Sequence, residues 1–178
     1  MLKTRGTSLF TALLQRDAVK AMTLTQPWAT LMAVGEKRVE TRSWQTDYRG
    51  PLAIHAAKGF PQAAEELCEE EPFCRTLEKV GYRWRPDRKR NAWALPVGQI
   101  VAVGWLDRIE RITKNYPVAA LEKAFGDYTS GRYAWHFESV YRLRSPLAVG
   151  GSLGLWSWQP PDSFWMEIQA QHEQEVNA

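Results

Sequence analysis

Hydrophobic and polar positions alternate most regularly late in the chain. There Tyr133, Trp135, Phe137, Ser139, Tyr141 and Leu143 interleave with Arg132, Ala134, His136, Glu138, Val140 and Arg142. A period of two places one aromatic face on a strand. Residues 98–112 form a longer run, apolar on both faces at its start and half-polar later, as a central strand requires. Further strands are expected over 19–24, 38–44 and 51–56, with a short last one entered through the glycine-rich turn at 150–156. Asp47-Tyr48-Arg49-Gly50 has turn chemistry, which predicts that the strands on either side of it pair as a hairpin. Helical spacing begins at Pro27, which suits a first turn, and continues to Val34, with Gly35 in the left-handed position that ends it. A second helix is expected over 61–71 with Ala63, Ala64, Leu67 and Cys68 inward and Glu65, Glu66, Glu69, Glu70 and Glu71 solvated. Shorter helices are expected over 75–80 and 117–125, and a surface helix that frays after Pro161. Strands closed by short turns with helices between them predict an α+β fold, a small β-barrel of about five to six strands with flanking helices.

A chain of 178 residues fits one domain, expected over 19–158, with an N-terminal extension at 1–18, a basic insertion at about 72–95 and a helical tail at 159–178. Hydrophobic content of 44% with 24% charged residues points away from disorder and from a membrane protein. Nothing approaches the roughly 20 apolar residues of a membrane span. Lys3 and Arg5 precede the short, interrupted apolar run at 9–14 without a convincing cleavage site, so the expectation is a cytoplasmic monomer. The formal charge of +3 is too small for a strong general grip on nucleic acid, so local patches must carry any such binding. Cys68 and Cys74 lack metal-ligand spacing and no His, Asp or Glu cluster accompanies them, so reduced thiols, no metal and no cofactor are expected. The turn at 150–156 lacks the lysine and hydroxyl residue of a phosphate loop and reads as structural. Nine tryptophans are more than a core of this size needs, and flat rings are what a base-stacking pocket uses.

Two of those rings, Trp28 and Trp44, bracket a segment that holds Lys37, Glu40, Arg42 and Ser43. From Val39 the strand period puts Glu40 and Arg42 on one face. Lys37 is out of phase with them and joins them only if the turn after Gly35 carries its flexible stem over the strand end. A lysine in a partly dry cleft loses proton affinity, and an adjacent carboxylate restores it. Three readings are open. Lys37 and Glu40 handle protons during acyl hydrolysis on a nucleobase; or they contact a base edge or phosphate without chemistry; or Glu40 and Arg42 are a structural ion pair. The guanidinium fork of Arg42 suits a base edge, and Trp28 or Trp44 suits stacking. His55 is either a weak acid–base candidate or a satisfied strand histidine. Tyr48, Arg49 and Lys58 surround the same expected hairpin and suit phosphate contacts. Arg83, Arg85, Arg88, Lys89 and Arg90, flanked by Trp84 and Trp93, form the most basic patch. It reads as a track for a phosphate backbone, as a solvated loop, or as a dock for an acidic protein.

The arrangement Gly35-x-Lys37-x-x-Glu40-x-Arg42 resembles the signature of the ASCH domain family, within the PUA-like superfamily of small β-barrels. The resemblance extends to Pro27-Trp28-Ala29, to the block from Tyr48 to Lys58, to the block from Leu95 to Val103 and to Tyr133-Ala134-Trp135, as in the longer bacterial members, and covers roughly residues 20–158. It implies recognition of RNA or a modified nucleobase, in a pocket where the helix after Pro27 meets the barrel mouth. Some relatives are amidohydrolases that remove acetyl from N4-acetylcytidine, using a Lys-x-x-Thr arrangement and a glutamate on a later strand, and others are described as ribonucleases. Here Glu40 stands at the threonine position and residues 100–106 carry no glutamate. The leading expectation is a protein that binds RNA or a modified nucleoside around Lys37, Glu40 and Arg42. The alternatives are hydrolysis of N4-acylated cytosine or RNA, and a protein-interaction module using residues 83–90.

Overall fold

Strand β3 (Gly50–Ala56) is buried at every residue, and that burial organises the sheet around it. In the computed structural model, which describes residues 8–178, β3 lies between β1 (Val19–Leu24), its parallel partner, and β4 (Gln99–Arg111), its antiparallel partner. Strand β2 (Val39–Arg42) pairs with β5 (Tyr133–Ala148), and β6 (Leu155–Trp158) pairs with β1, giving the order β2-β5-β4-β3-β1-β6. The expected hairpin between β2 and β3 does not form. Turn chemistry at 47–50 is a local signal, whereas a strand apolar on both faces needs a neighbour and a layer on each side, which an edge hairpin does not supply.

The pairing of β4 with β5 shifts register three times, at Ile100/Ala102, Gly104/Leu106 and Leu106/Arg108. Such irregularities bend and twist a strand pair. The sheet curls far enough for Arg42, at the end of edge strand β2, to donate to the carbonyl of Thr23 on β1 at 2.9 Å. Its hydrogen-bonded ladder stays open at β2 and β6, so the α+β fold is barrel-like without being a closed barrel. Gly104, on β4, sits where the strands pack closely. A Cβ there would lie 2.7 Å from Cδ1 of Phe137 and 3.2 Å from the carbonyl oxygen of Ser139. Gly104→Ala is therefore expected to lower the urea midpoint, at a cost of about 1–3 kcal/mol; a parental midpoint would contradict this packing.

Inside the curl, Met22, Leu52, Ile54, Val101, Leu106, Trp135 and Phe137 pack beneath α2 (Trp28–Ala33). On the outer face, Ala21, Ala53, Val103 and Leu143 meet α1 (Leu9–Leu14) and α6 (Asp162–Val176), whose Leu9, Leu13, Phe164 and Ile168 are buried together. A third cluster, with Leu31, Phe60, Cys68, Phe73, Leu77, Trp93 and Phe125, fastens the helices to one end of the barrel. The helix expected over 61–71 is α3 (Gln62–Leu67), which stops short of Glu71, and the short helix expected over 75–80 is α4 (Phe73–Lys79), which begins just after Pro72, a residue with no N–H to continue a helical ladder. Ala63 is exposed. Glu65 leaves the solvated face to accept from the Asn91 amide at 3.1 Å and to pair with Arg90 at 3.7 Å. Among the described residues no helix is long and apolar enough to cross a membrane.

Candidate functional site

Helix α2 is held at its start by a buried glutamine. Gln26 accepts from the Thr30 amide at 3.1 Å and donates to the Pro96 carbonyl at 2.6 Å, tying the helix to the loop before β4. At the other end Gly35 takes φ +78°, the left-handed conformation that glycine adopts freely. Gly35 then donates to Met32, and Glu36 and Lys37 both donate to the Leu31 carbonyl, at 3.0 and 3.1 Å. This turn sends Lys37 inward, not along the strand, and its side chain is 0% exposed.

The Lys37 ammonium donates to the Val39 carbonyl and lies 3.9 Å from Glu40 Oε2 and 3.7 Å from Oε1 of Glu122. Both carboxylate distances exceed the roughly 2.7–2.9 Å of a close charge-assisted hydrogen bond. Burial holds the lysine below its ordinary pKa, opposed by the charges of Glu40 and Glu122. Glu40 is in turn 3.1 Å from Arg42 Nε, so its carboxylate sits between two cations.

Glu122 belongs to α5 (Ala120–Ala124), and the sequence reading did not single it out. Its carboxylate accepts from the amides of Arg38 and Val39 at 3.0 and 3.2 Å and from the Tyr128 hydroxyl at 3.4 Å. It thereby satisfies two donors at the start of an edge strand and supplies the second carboxylate on Lys37. Nothing local in Ala120–Ala124 marks it. The one available signal was indirect, since a buried lysine needs compensating acceptors.

Beside this cluster is a cleft of about 400 Å³. Trp28, Phe73 and Phe125 supply aromatic walls, Glu40 and Thr41 reach it from β2, and Gly126 and Asp127 line it beside Leu67 and Ala124. The rings brace one another edge to face, Trp28 on Phe73 at 6.2 Å and Phe73 on Phe125 at 5.0 Å. Asp127 is already engaged, by the hydroxyl and amide of Thr129 and by Arg132 at 3.3 Å, and the Thr129 bonds above all hold its pKa below the usual carboxylate value. Gly126 lets the chain pass close to the lysine, because a Cβ there would lie 3.4 Å from Lys37 Nζ and 2.9 Å from the Tyr128 ring.

Lys37, Glu40 and Arg42 therefore converge, with Trp28 in the wall of the adjoining cleft. The other candidates do not line it. Ser43 is exposed. Trp44 packs edge-on to Trp135 at 4.7 Å inside the curl, and its carbonyl accepts from the Trp135 indole. The Tyr48 hydroxyl donates to the Pro51 carbonyl, and Arg49 folds back onto the carbonyls of Thr46 and Tyr48. Lys58 is exposed against Gly98, and none of Arg83, Arg85, Arg88, Lys89 and Arg90, all exposed, lines the cleft. Among the described residues no group of His, Cys, Asp and Glu is arranged to hold a metal.

His55 is buried in β3, in register with Thr23 of β1. Its Nε2 meets the Val149 carbonyl at 3.0 Å, which makes that nitrogen the donor, and Nδ1 has no partner. Burial lowers its pKa from the ordinary 6.5. The unfolded chain thus takes up this proton at a higher pH than the folded one. The neutral imidazole's contribution is complete above the unfolded value and is lost as the pH falls through the folded one. His136 is shifted in the same direction by burial and Arg108, so the diagnostic quantity is a difference. Urea midpoints of the parent should drop on moving from about pH 7.5 to about pH 5.5, and His55→Gln should drop less. Equal drops would remove His55 from the account.

A curled six-stranded sheet with a helix-lined cleft beside a Lys-Glu-Arg motif defines a small α+β domain. The family model for the ASCH domain matches residues 22–144, and the chain belongs to the ASCH domain family. It is similar to human Activating signal cointegrator 1, with 50% identity over 53 residues, 29% of this chain and 9% of that protein. The mouse protein of the same name is 45% identical over 61 residues, 34% of this chain and 10% of that protein. The chain thus spans about a tenth of the length of these curated relatives. Among solved structures, ASCH from Zymomonas mobilis aligns with a TM-score of 0.44 and 10% identity over 87% of this chain and 96% of that one. A serine-to-alanine mutant of the Zymomonas mobilis protein aligns with a TM-score of 0.44 and 12% identity, over 90% of this chain and 96% of that one.

Proposed function

We propose that this protein is a reader of RNA or of a modified nucleoside, and that the cleft beside Glu40 takes one unstacked base. The observation that carries this reading is the state of Glu40. It is the carboxylate that reaches the cleft with oxygen lone pairs not taken by hydrogen bonds to the protein, and it lies between the cations of Lys37 at 3.9 Å and Arg42 at 3.1 Å. An ionised carboxylate only accepts hydrogen bonds, so it selects a base edge that presents N–H donors. Trp28 and its neighbouring rings supply apolar faces against which such a base packs. The cleft offers a phosphate nothing comparable, because its charged groups are carboxylates and its nearest cations are engaged with them.

Hydrolysis of an N4-acylated cytosine or of RNA is the second reading, favoured by the lowered proton affinity of Lys37, which brings a neutral amine closer to reach as a base. Against it, Lys37 has no exposed surface and Glu40 stands between it and the cleft. Calorimetric titration with a panel of nucleosides tests the reader. Trp28→Ala should weaken the preferred nucleoside by about tenfold, the scale of one base–aromatic stack. Affinity unchanged in Trp28→Ala would place the base elsewhere.

A further inference from the structure

The basic run has a cleft of its own. Between α4 and the loop at 81–95 lies a space of about 270 Å³ lined by Glu69, Cys74, Glu78, Trp84 and Trp93. Trp84 is 48% exposed, and it is the one aromatic among the exposed large hydrophobic residues of the described chain. Trp93 is buried, and its indole N–H has no acceptor. An indole that faces water and another with an unanswered donor are both incomplete as core residues.

The loop is built, not slack. Arg85 donates from its amide to the Ala92 carbonyl at 2.8 Å, and Asn91 clasps both the amide and the carbonyl of Leu95, at 2.9 and 2.8 Å. Two of its five cations serve this scaffold. Arg83 bonds the carbonyls of Glu78 and Tyr82, and Arg90 pairs with Glu65 and donates to the Phe60 carbonyl. Arg85, Arg88 and Lys89 are exposed and have no carboxylate partner among the described residues.

We infer that this loop and its cleft hold a second, short segment of a single-stranded RNA, with three of its phosphates on Arg85, Arg88 and Lys89 and one base stacked on Trp84. The inference rests on the reading of the Glu40 cleft only in taking the ligand to be a polynucleotide. Two features favour RNA over an acidic protein. Glu69 and Glu78 would repel acidic side chains from the cleft, yet they accept from the amino groups of a base. An acidic peptide also has no use for an indole standing among the cations, whereas interleaved rings and cations are what single strands need.

The test compares a mononucleoside with a single-stranded RNA of about eight nucleotides, within the site sizes usual for such surfaces. For RNA, the log–log salt dependence of affinity should have a slope near −2, about −0.7 for each of three phosphates. Combined Arg85→Gln, Arg88→Gln and Lys89→Gln should bring that slope close to zero and leave nucleoside affinity untouched. Trp84→Ala should weaken RNA about tenfold with the slope retained. Bound RNA should also slow alkylation of Cys74, which lines the cleft, while buried Cys68 stays unlabelled throughout. A triple variant with the parent's slope and affinity overturns the inference. So does RNA binding indifferent to Trp84→Ala alongside equally tight binding of polyglutamate, which would assign the loop to an acidic protein. Should nucleosides fail to bind while the loop variants still weaken RNA, the Glu40 cleft reading falls and this one stands.

Discussion

Lys37→Ala is expected to destabilise the fold by about 3–5 kcal/mol, the cost of breaking a buried charge pair from one side. Two losses combine. The lysine stem is among the largest fully buried side chains, so truncation opens a cavity in a region braced by Tyr128 and Gly126. It also strips a cation from Glu40 and Glu122, whose oxygens lie within 3.9 Å of its nitrogen. Lys37→Met separates the two, because methionine keeps most of the volume. In that variant Glu40 retains Arg42, and Glu122 retains the amides of Arg38 and Val39. Its loss in urea unfolding should be less than half that of Lys37→Ala. Equal losses would show that charge alone governs, and an alanine variant within about 1 kcal/mol of the parent would contradict the burial of this lysine.

Glu40→Gln is expected to lower nucleoside affinity by roughly ten- to a hundredfold, as loss of a hydrogen bond to a charged group does. The shape of the side chain is kept and its acceptor oxygens are halved, while an amide donor now faces the donors of the base. Folding should change far less. Arg42 keeps the Thr23 carbonyl, and Lys37 keeps Glu122 and the Val39 carbonyl. Calorimetry on the parent and Glu40→Gln, each checked by its urea midpoint, reads both quantities. Retained affinity in a folded Glu40→Gln protein would remove this carboxylate from recognition.

Much of the fold was legible because strand periodicity is local. The aromatic alternation at 132–143 and the apolar run at 98–112 became the two longest strands, β5 and β4, which pair with each other. Pairing was less legible. Burial on both faces decided the neighbours of β3, and that is a property of the whole sheet, whereas the turn at 47–50 is a property of four residues. The motif spacing made the convergence of Glu40 and Arg42 readable, but the inward course of Lys37 depends on two amides sharing the Leu31 carbonyl. Trp28 and Trp44 are chemically alike in the sequence, and only packing sends Trp44 into the curl and Trp28 to the cleft wall. Glu122 reaches Lys37 across more than eighty positions of chain, beyond any local pattern.

The most direct test of the central proposal is titration of the unaltered protein with nucleosides and their N4-acylated derivatives, followed by mass spectrometry of every species. The account predicts saturable binding of at least one nucleoside at one site, with its mass unchanged. No binding across the panel, or a bound species whose mass has changed, would contradict a reader.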